Sequence, residues 1–208
     1  MKTIQFIKSL NNTELGKSGT NETYVLVSTN VRGIEKIFDT ANTRPSLINL
    51  KNGGILSSVH ITNTVTGEFR INGLGDFYRA NNANAGDEII FERRDNKFYI
   101  NLHSKINTIV FKKNSKGFEV LNIDRLKESS IDNVIYKGNS GKLDIDFKVS
   151  DKKRSDSPTN TDFYTLKFNN TDLLNNINSN EYFELTTTNN KTELKKVLVW
   201  QYYEYKTQ

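Results

Sequence analysis

The sequence predicts a mostly β protein of 208 residues in two parts, 1–115 and 116–208. Three observations carry this. Short runs rich in Val, Ile, Tyr, Phe and Thr recur along the chain, bounded by clusters of Asn, Gly, Ser and Asp, which is the pattern of strands and turns. Helical periodicity is confined to brief segments. The charge also changes near residue 115: the residues up to it hold 15 Lys+Arg and 10 Asp+Glu, and those after it hold 14 of each.

The elements follow in order. Thr23–Ser28 (TYVLVS) and Leu56–Asn63 (LSSVHITN) read as strands, and Glu68–Asn72 (EFRIN) alternates inward and outward residues. Glu88–Arg93 and Lys97–Leu102 flank Asp95-Asn96 and predict a hairpin with a short turn, and Thr108–Lys112 follows as a strand. Val31–Asp39 puts Val31, Ile34, Ile37 and Phe38 on one helical face, although Gly33 weakens it. Gly73–Ala80 has room for one helical turn. In the second part Ile123–Ser129 and Asp172–Ile177 read as brief helices. Asn133–Lys137, Leu143–Ser150, Asp162–Phe168, Tyr182–Thr188 and Leu194–Tyr205 read as strands, with a turn at Asn189-Asn190-Lys191. Asp151–Asp162, polar and carrying one of two prolines, reads as a loop.

Composition excludes several chemistries. There is no cysteine, hence no disulfide framework, thiolate zinc site, iron–sulfur centre or thiol nucleophile. Two histidines, His60 and His103, are too few for a His-rich metal site. No apolar run approaches the roughly 18 residues of a membrane span, and MKTIQFIKSL lacks the apolar core of a secretory signal. The expectation is a cytoplasmic protein without a membrane partner. The net charge of +5 falls wholly within 1–115, a weak pull toward polyanions.

Most motifs fail on spacing. Gly16-Lys17-Ser18 matches the end of a phosphate-binding loop, but that loop needs a glycine where Asn11 stands. Gly73-x-Gly75 begins a dinucleotide fingerprint whose third glycine position is Tyr78. Asp146-Phe147-Lys148, with Asp144 and Asp132, fits the acid-x-Lys arrangement by which Mg²⁺-dependent nucleases hold metal and activate water. On a strand, however, Asp144, Asp146 and Lys148 also form an ordinary solvated face opposite Leu143, Ile145, Phe147 and Val149. The histidines read as sheet and strand-edge residues.

One stretch goes beyond composition. It comprises the segment Phe6-Ile7-Lys8-Ser9-Leu10 and a polar loop Gly16-Lys17-Ser18-Gly19-Thr20-Asn21. The strand and amphipathic segment ending in Ile37-Phe38 follow, then the loop Arg44-Pro45-Ser46, then Arg70-Ile71-Asn72-Gly73-Leu74-Gly75. Over about residues 1–105 this order resembles the amino-terminal, DNA-binding effector domain of EcoRII-type restriction endonucleases, which has the B3-like fold. The resemblance implies a seven-stranded open pseudobarrel with short helices at its ends. It also implies two extensions that grip the major groove, here Gly16–Tyr24 and Arg70–Arg79. The second part, 116–208, has no match and is expected to be a smaller β-rich accessory domain.

The residue types suit that work. Arg70 offers a bidentate fork to guanine, and Asn72 and Asn21 are of the type that pairs with adenine. Lys17, Ser18, Thr20 and Arg79 are phosphate-contact types. Tyr78 is expected to pack on sugar or brace the arm, and Tyr24, at the end of the first arm, is a further candidate DNA contact. Glu22 and Asp76 are suited to accept from cytosine N4 or to orient a neighbouring arginine. Family members tend to carry His–Gln in the first arm where this chain has Asn21-Glu22, so a different target sequence is expected. The resulting expectation is sequence-specific recognition of double-stranded DNA with no cofactor and no metal. The chain would be a DNA-binding part of a type II restriction endonuclease, non-catalytic in itself, with a nuclease domain or subunit as partner. The alternatives are a small Mg²⁺-dependent nuclease using Asp132, Asp146 and Lys148, and a β-rich protein-interaction module.

Overall fold

Asparagine supplies eight of the ten non-glycine residues at positive φ among the described residues; most of these positions lie between elements, and Asn133 sits at an irregularity within a strand. Asn169-Asn170 (φ 48° and 63°), Asn189-Asn190 (48° and 59°) and Lys137-Gly138 (49° and 84°) are two-residue connections with both positions left-handed. That is the backbone of the type I′ hairpin turn, which asparagine and glycine tolerate best. The computed structural model describes residues 2–17, 22–28, 34–38, 44–125, 130–153 and 160–206.

In chain order the first elements are β1 (Lys2–Ser9), β2 (Tyr24–Val27), α1 (Ile34–Ile37), β3 (Leu47–Asn49), β4 (Ile55–Leu56) and β5 (His60–Asn63). Then come β6 (Phe69–Asn72), α2 (Gly75–Ala80), β7 (Glu88–Arg94), β8 (Lys97–His103), β9 (Thr108–Asn114) and β10 (Gly117–Val120). The rest are β11 (Ser130–Tyr136), β12 (Asn139–Lys153), β13 (Asn160–Phe168), β14 (Thr171–Asp172), β15 (Tyr182–Thr188), β16 (Lys191–Val197) and β17 (Trp200–Lys206). The protein is mostly β. Among the described residues, no helix is long and apolar enough to cross a membrane.

The chain divides into two compact units, 1–104 with 200–208, and 105–199. Composition puts the change near residue 115; the backbone puts it at Ser104/Lys105 and returns the last strand to the first unit. In that unit one sheet runs β17-β1-β7-β8-β3-β4 and a second runs β2-β6-β5. Their core includes the fully buried Phe6, Leu10, Ile37, Leu47, Ile71, Leu74, Ile89, Phe91 and Ile100. The predicted β7–β8 hairpin forms around Asp95 at φ 50°. The helix expected over Val31–Asp39 is described only as α1; residues 31–33 and 39 lie outside the described residues. Leu56–Asn63 is two strands rather than one, since β4 pairs with β3 and β5 with β6.

The second unit is a closed seven-stranded barrel, β10-β9-β15-β16-β11-β12-β13, with β13 returning to β10. Alternate residues of each strand fill it, among them Phe111, Phe118, Val134, Leu143, Leu166, Phe183 and Leu194. The rings meet edge to face, Phe118 with Phe183 at 5.9 Å and Tyr136 with Phe168 at 5.6 Å between centroids, so the interior is a packed core rather than a channel. The segment expected to be a loop, Asp151–Asp162, is partly strand: β12 runs to Lys153 and β13 starts at Asn160. Leu194–Tyr205, expected as one strand, is two strands in different sheets, β16 in the barrel and β17 beside β1. Asp172 caps a 3₁₀ turn, Leu173–Asn176, by accepting from Leu174 N at 2.8 Å, as the brief-helix expectation requires.

Candidate nucleic-acid interface

The first predicted arm starts from a capped turn rather than a free loop. Asn11 Oδ1 accepts from Glu14 N at 3.0 Å, and Glu14 Oε2 accepts from Asn11 N at 3.1 Å. This reciprocal pair is a capping box. Gly16, at φ 72°, closes the turn: Gly16 N donates to Thr13 O and Lys17 N to Asn12 O, the bonds of a Schellman stop. Lys17 is therefore held at a fixed exit from the turn. Glu14, 1% exposed, also accepts from Leu26 N and from buried Lys8, whose ammonium lies 4.8 Å from the Trp200 ring centroid. This buried pair ties the foot of the arm to β1 and β2.

The small sheet brings the two predicted arms together. β2 and β6 pair antiparallel, with Tyr24 opposite Asn72 and Leu26 opposite Arg70. The Arg70 guanidinium carbon sits 4.8 Å from the Tyr24 ring centroid, and Nη1 is 3.6 Å from Glu22 Oε2. Its Nε is buried without a hydrogen-bond partner while the side chain is 39% exposed, so the exposure belongs to the rest of the side chain. The Asn72 side-chain nitrogen donates to Thr62 Oγ1 at 3.0 Å and toward Arg70 O at 3.2 Å. That nitrogen is thus engaged in binding β5 to β6.

The second arm turns at Gly73, φ 81°, where a Cβ would lie 2.3 Å from Ser58 O. Only glycine fits there. α2 follows, anchored by buried Leu74, Phe77 and Tyr78. Tyr78 is a brace: its hydroxyl donates to Tyr24 O at 3.4 Å, and burial, with Glu14 nearby, pushes its phenol well above the ordinary range. Of the two roles expected for it, sugar packing does not suit a side chain so enclosed. A Cβ at Gly75 would be 3.0 Å from Thr23 Oγ1 and 3.3 Å from Arg79 Nη1, so the strand entering β2 lies against the start of α2. Arg79 pairs with Asp76 on the exposed side of α2. Lys17 and Arg79 line one cleft of about 360 Å³ with Leu15, Tyr78, Asn82, Ala83 and Asn84.

Neither a family model nor a curated protein matches the chain. The geometry therefore carries the functional reading.

Of the eleven residues named from sequence, Ser18, Thr20 and Asn21 lie outside the described residues. Glu22, Tyr24, Arg70 and Asn72 come together at one end of the small sheet, and Lys17, Tyr78 and Arg79 share the cleft. Thr62, Asn82 and Asn84 are additions that the sequence reading missed. Thr62 is signalled only by register, as the residue opposite Arg70; Asn82 and Asn84 follow α2 in a segment with no motif. His60 Nδ1 lies 3.2 Å from Ser58 O, and His103 Nδ1 lies 3.0 Å from Glu88 Oε2.

The residues of the nuclease alternative occupy the barrel. Asp146 pairs with Lys167 at 2.9 Å, and Asp144 pairs with Lys142 at 3.0 Å, which holds its carboxyl below the ordinary range. The Lys148 side chain lies outside the described residues. Among the described residues, no group of three His, Cys, Asp or Glu could hold a metal. Phe147, expected to face inward, is 56% exposed, because the buried alternation of β12 ends at Ile145.

Proposed function

We propose that the first unit is a sequence-specific reader of double-stranded DNA, B3-like with an open pseudobarrel, and that it serves as the DNA-binding part of a bacterial restriction endonuclease. The observation that carries this is the β2–β6 pairing, which sets the ends of both arms side by side, with Lys17 and Arg79 on one cleft. The element order over residues 2–103, two strands, a helix, four strands, a second helix and the β7–β8 hairpin, supports the same reading, with β17 added beside β1 from the end of the chain.

In this account Arg70, stacked on Tyr24, presents its fork to guanine O6 and N7. Lys17 contacts phosphates and fixes the register of the protein on the duplex, and Arg79 lies beside it on the same cleft. Asn72 and Tyr78 hold the arms in place. The barrel unit binds a nuclease partner.

Fluorescence anisotropy on duplex DNA at about 50 and 200 mM salt tests the reading. Affinity should fall steeply with salt. Lys17→Ala should weaken all duplexes alike and reduce the salt slope by about 1, whereas Arg70→Ala should cost about 1–3 kcal/mol and relax selectivity at one base pair. Absence of binding at low salt would overturn the proposal.

A further inference from the structure

Both arginines at the candidate interface carry a carboxylate of their own. Arg70 faces Glu22 across the two arms at 3.6 Å, and Arg79 pairs with Asp76 one turn back on α2. The acids are 71% and 89% exposed. Exposed pairs of this kind add little to folding, so stability gives no strong reason for placing acids here. A surface built only to hold a polyanion would leave its cations bare, because each carboxylate repels phosphate.

The two acids discriminate between kinds of DNA contact. A phosphate oxygen approaching Arg70 or Arg79 must displace a carboxylate and bear its repulsion. A guanine edge offers O6 and N7, which are neutral acceptors, and meets much less of that repulsion. Arg70 is further constrained by the Tyr24 ring and by its buried Nε. Its fork is therefore steered away from the backbone and toward a base edge.

We infer, resting on the DNA-binding reading above, that Glu22 and Asp76 are specificity-determining residues that suppress non-target binding by holding Arg70 and Arg79 off the phosphates.

The test is anisotropy on a scrambled duplex and on a target duplex obtained by selection, with Glu22→Gln, Asp76→Asn and the double variant. Glu193→Gln, an exposed acid on the barrel strand β16, controls for net charge. Each interface variant should bind the scrambled duplex roughly two- to fivefold tighter, the size of an exposed ion pair, without a matching gain on the target. The specificity ratio then falls, and the control leaves it unchanged. Scrambled-duplex affinity that stays constant in both interface variants, or rises equally in the control, overturns the inference while the DNA-binding reading stands. Failure of the parent and every variant to retain any duplex at low salt defeats the reading and the inference together.

Discussion

Gly73 shows how a single residue shapes the candidate interface. Its φ of 81° and the 2.3 Å between a would-be Cβ and Ser58 O leave no room for a side chain, and the obstacle is backbone that cannot swing aside. Gly73→Ala should lower the stability of the first unit by about 1–3 kcal/mol through left-handed strain, and by more if β5 must shift. Chemical denaturation checks this, and an unchanged midpoint would contradict it. The sequence marked Gly73 as a failed dinucleotide motif; its use is conformational. Glu14 is legible only in part. Its capping role with Asn11 is visible in the spacing Asn-x-x-Glu, but its burial against Lys8 and Leu26 depends on contacts six and twelve residues away. Arg70 was legible by type alone. Its Tyr24 platform became visible only once β2 was set against β6.

At the scale of elements, hairpins with strong turn dipeptides were readable: Asp95-Asn96 and Asn189-Asn190 lie where the turns form. Local pattern could not separate β16 from β17, because Leu194–Tyr205 is continuously β-forming and the break falls at exposed Leu198. The consequence is electrostatic. In β17, Glu204 bonds Lys2 at 3.1 Å and Lys36 at 2.7 Å and accepts from the Tyr202 hydroxyl. Lys36, then Tyr202 and Lys2, hold its carboxyl down at about 2. A carboxyl depressed on folding stabilises the folded state fully above its ordinary value, near 4.5, and that contribution fades as pH falls toward about 2. Acid unfolding of Glu204→Gln should therefore differ from the parent above about pH 5, the gap narrowing as pH falls and closing only at about pH 2. A gap that does not narrow on acidification would show that Glu204 acts by packing alone.

At the scale of the molecule, the division at Ser104/Lys105 changes the charge argument. With 115 as the boundary, the whole excess of +5 sits in the first part. With Lys105, Lys112 and Lys113 assigned to the barrel, and Glu204 and Lys206 to the first unit, the nets become +2 and +3. Gross charge therefore does not favour the first unit as the proposed reader, and the proposal rests on the local placement of Lys17, Arg70 and Arg79. The barrel was not legible because its closure, β10 against β13, joins segments more than forty residues apart with no local signal. Trp200, stacked on Phe6 at 4.8 Å, binds the last strand into the first unit. Trp200→Ala should speed hydrogen exchange at β1 and β7 amides and leave β12 and β13 protected. Equal loss in both sets would mean that the two units open as one.

The central claim is that the first unit reads a duplex sequence, and selection from a pool of duplexes with a randomised core addresses it most directly. The account predicts enrichment of one short motif containing a guanine, with Arg70→Ala blurring a single position of that motif. A pool that stays random after repeated rounds, or a motif unchanged by Arg70→Ala, would contradict it.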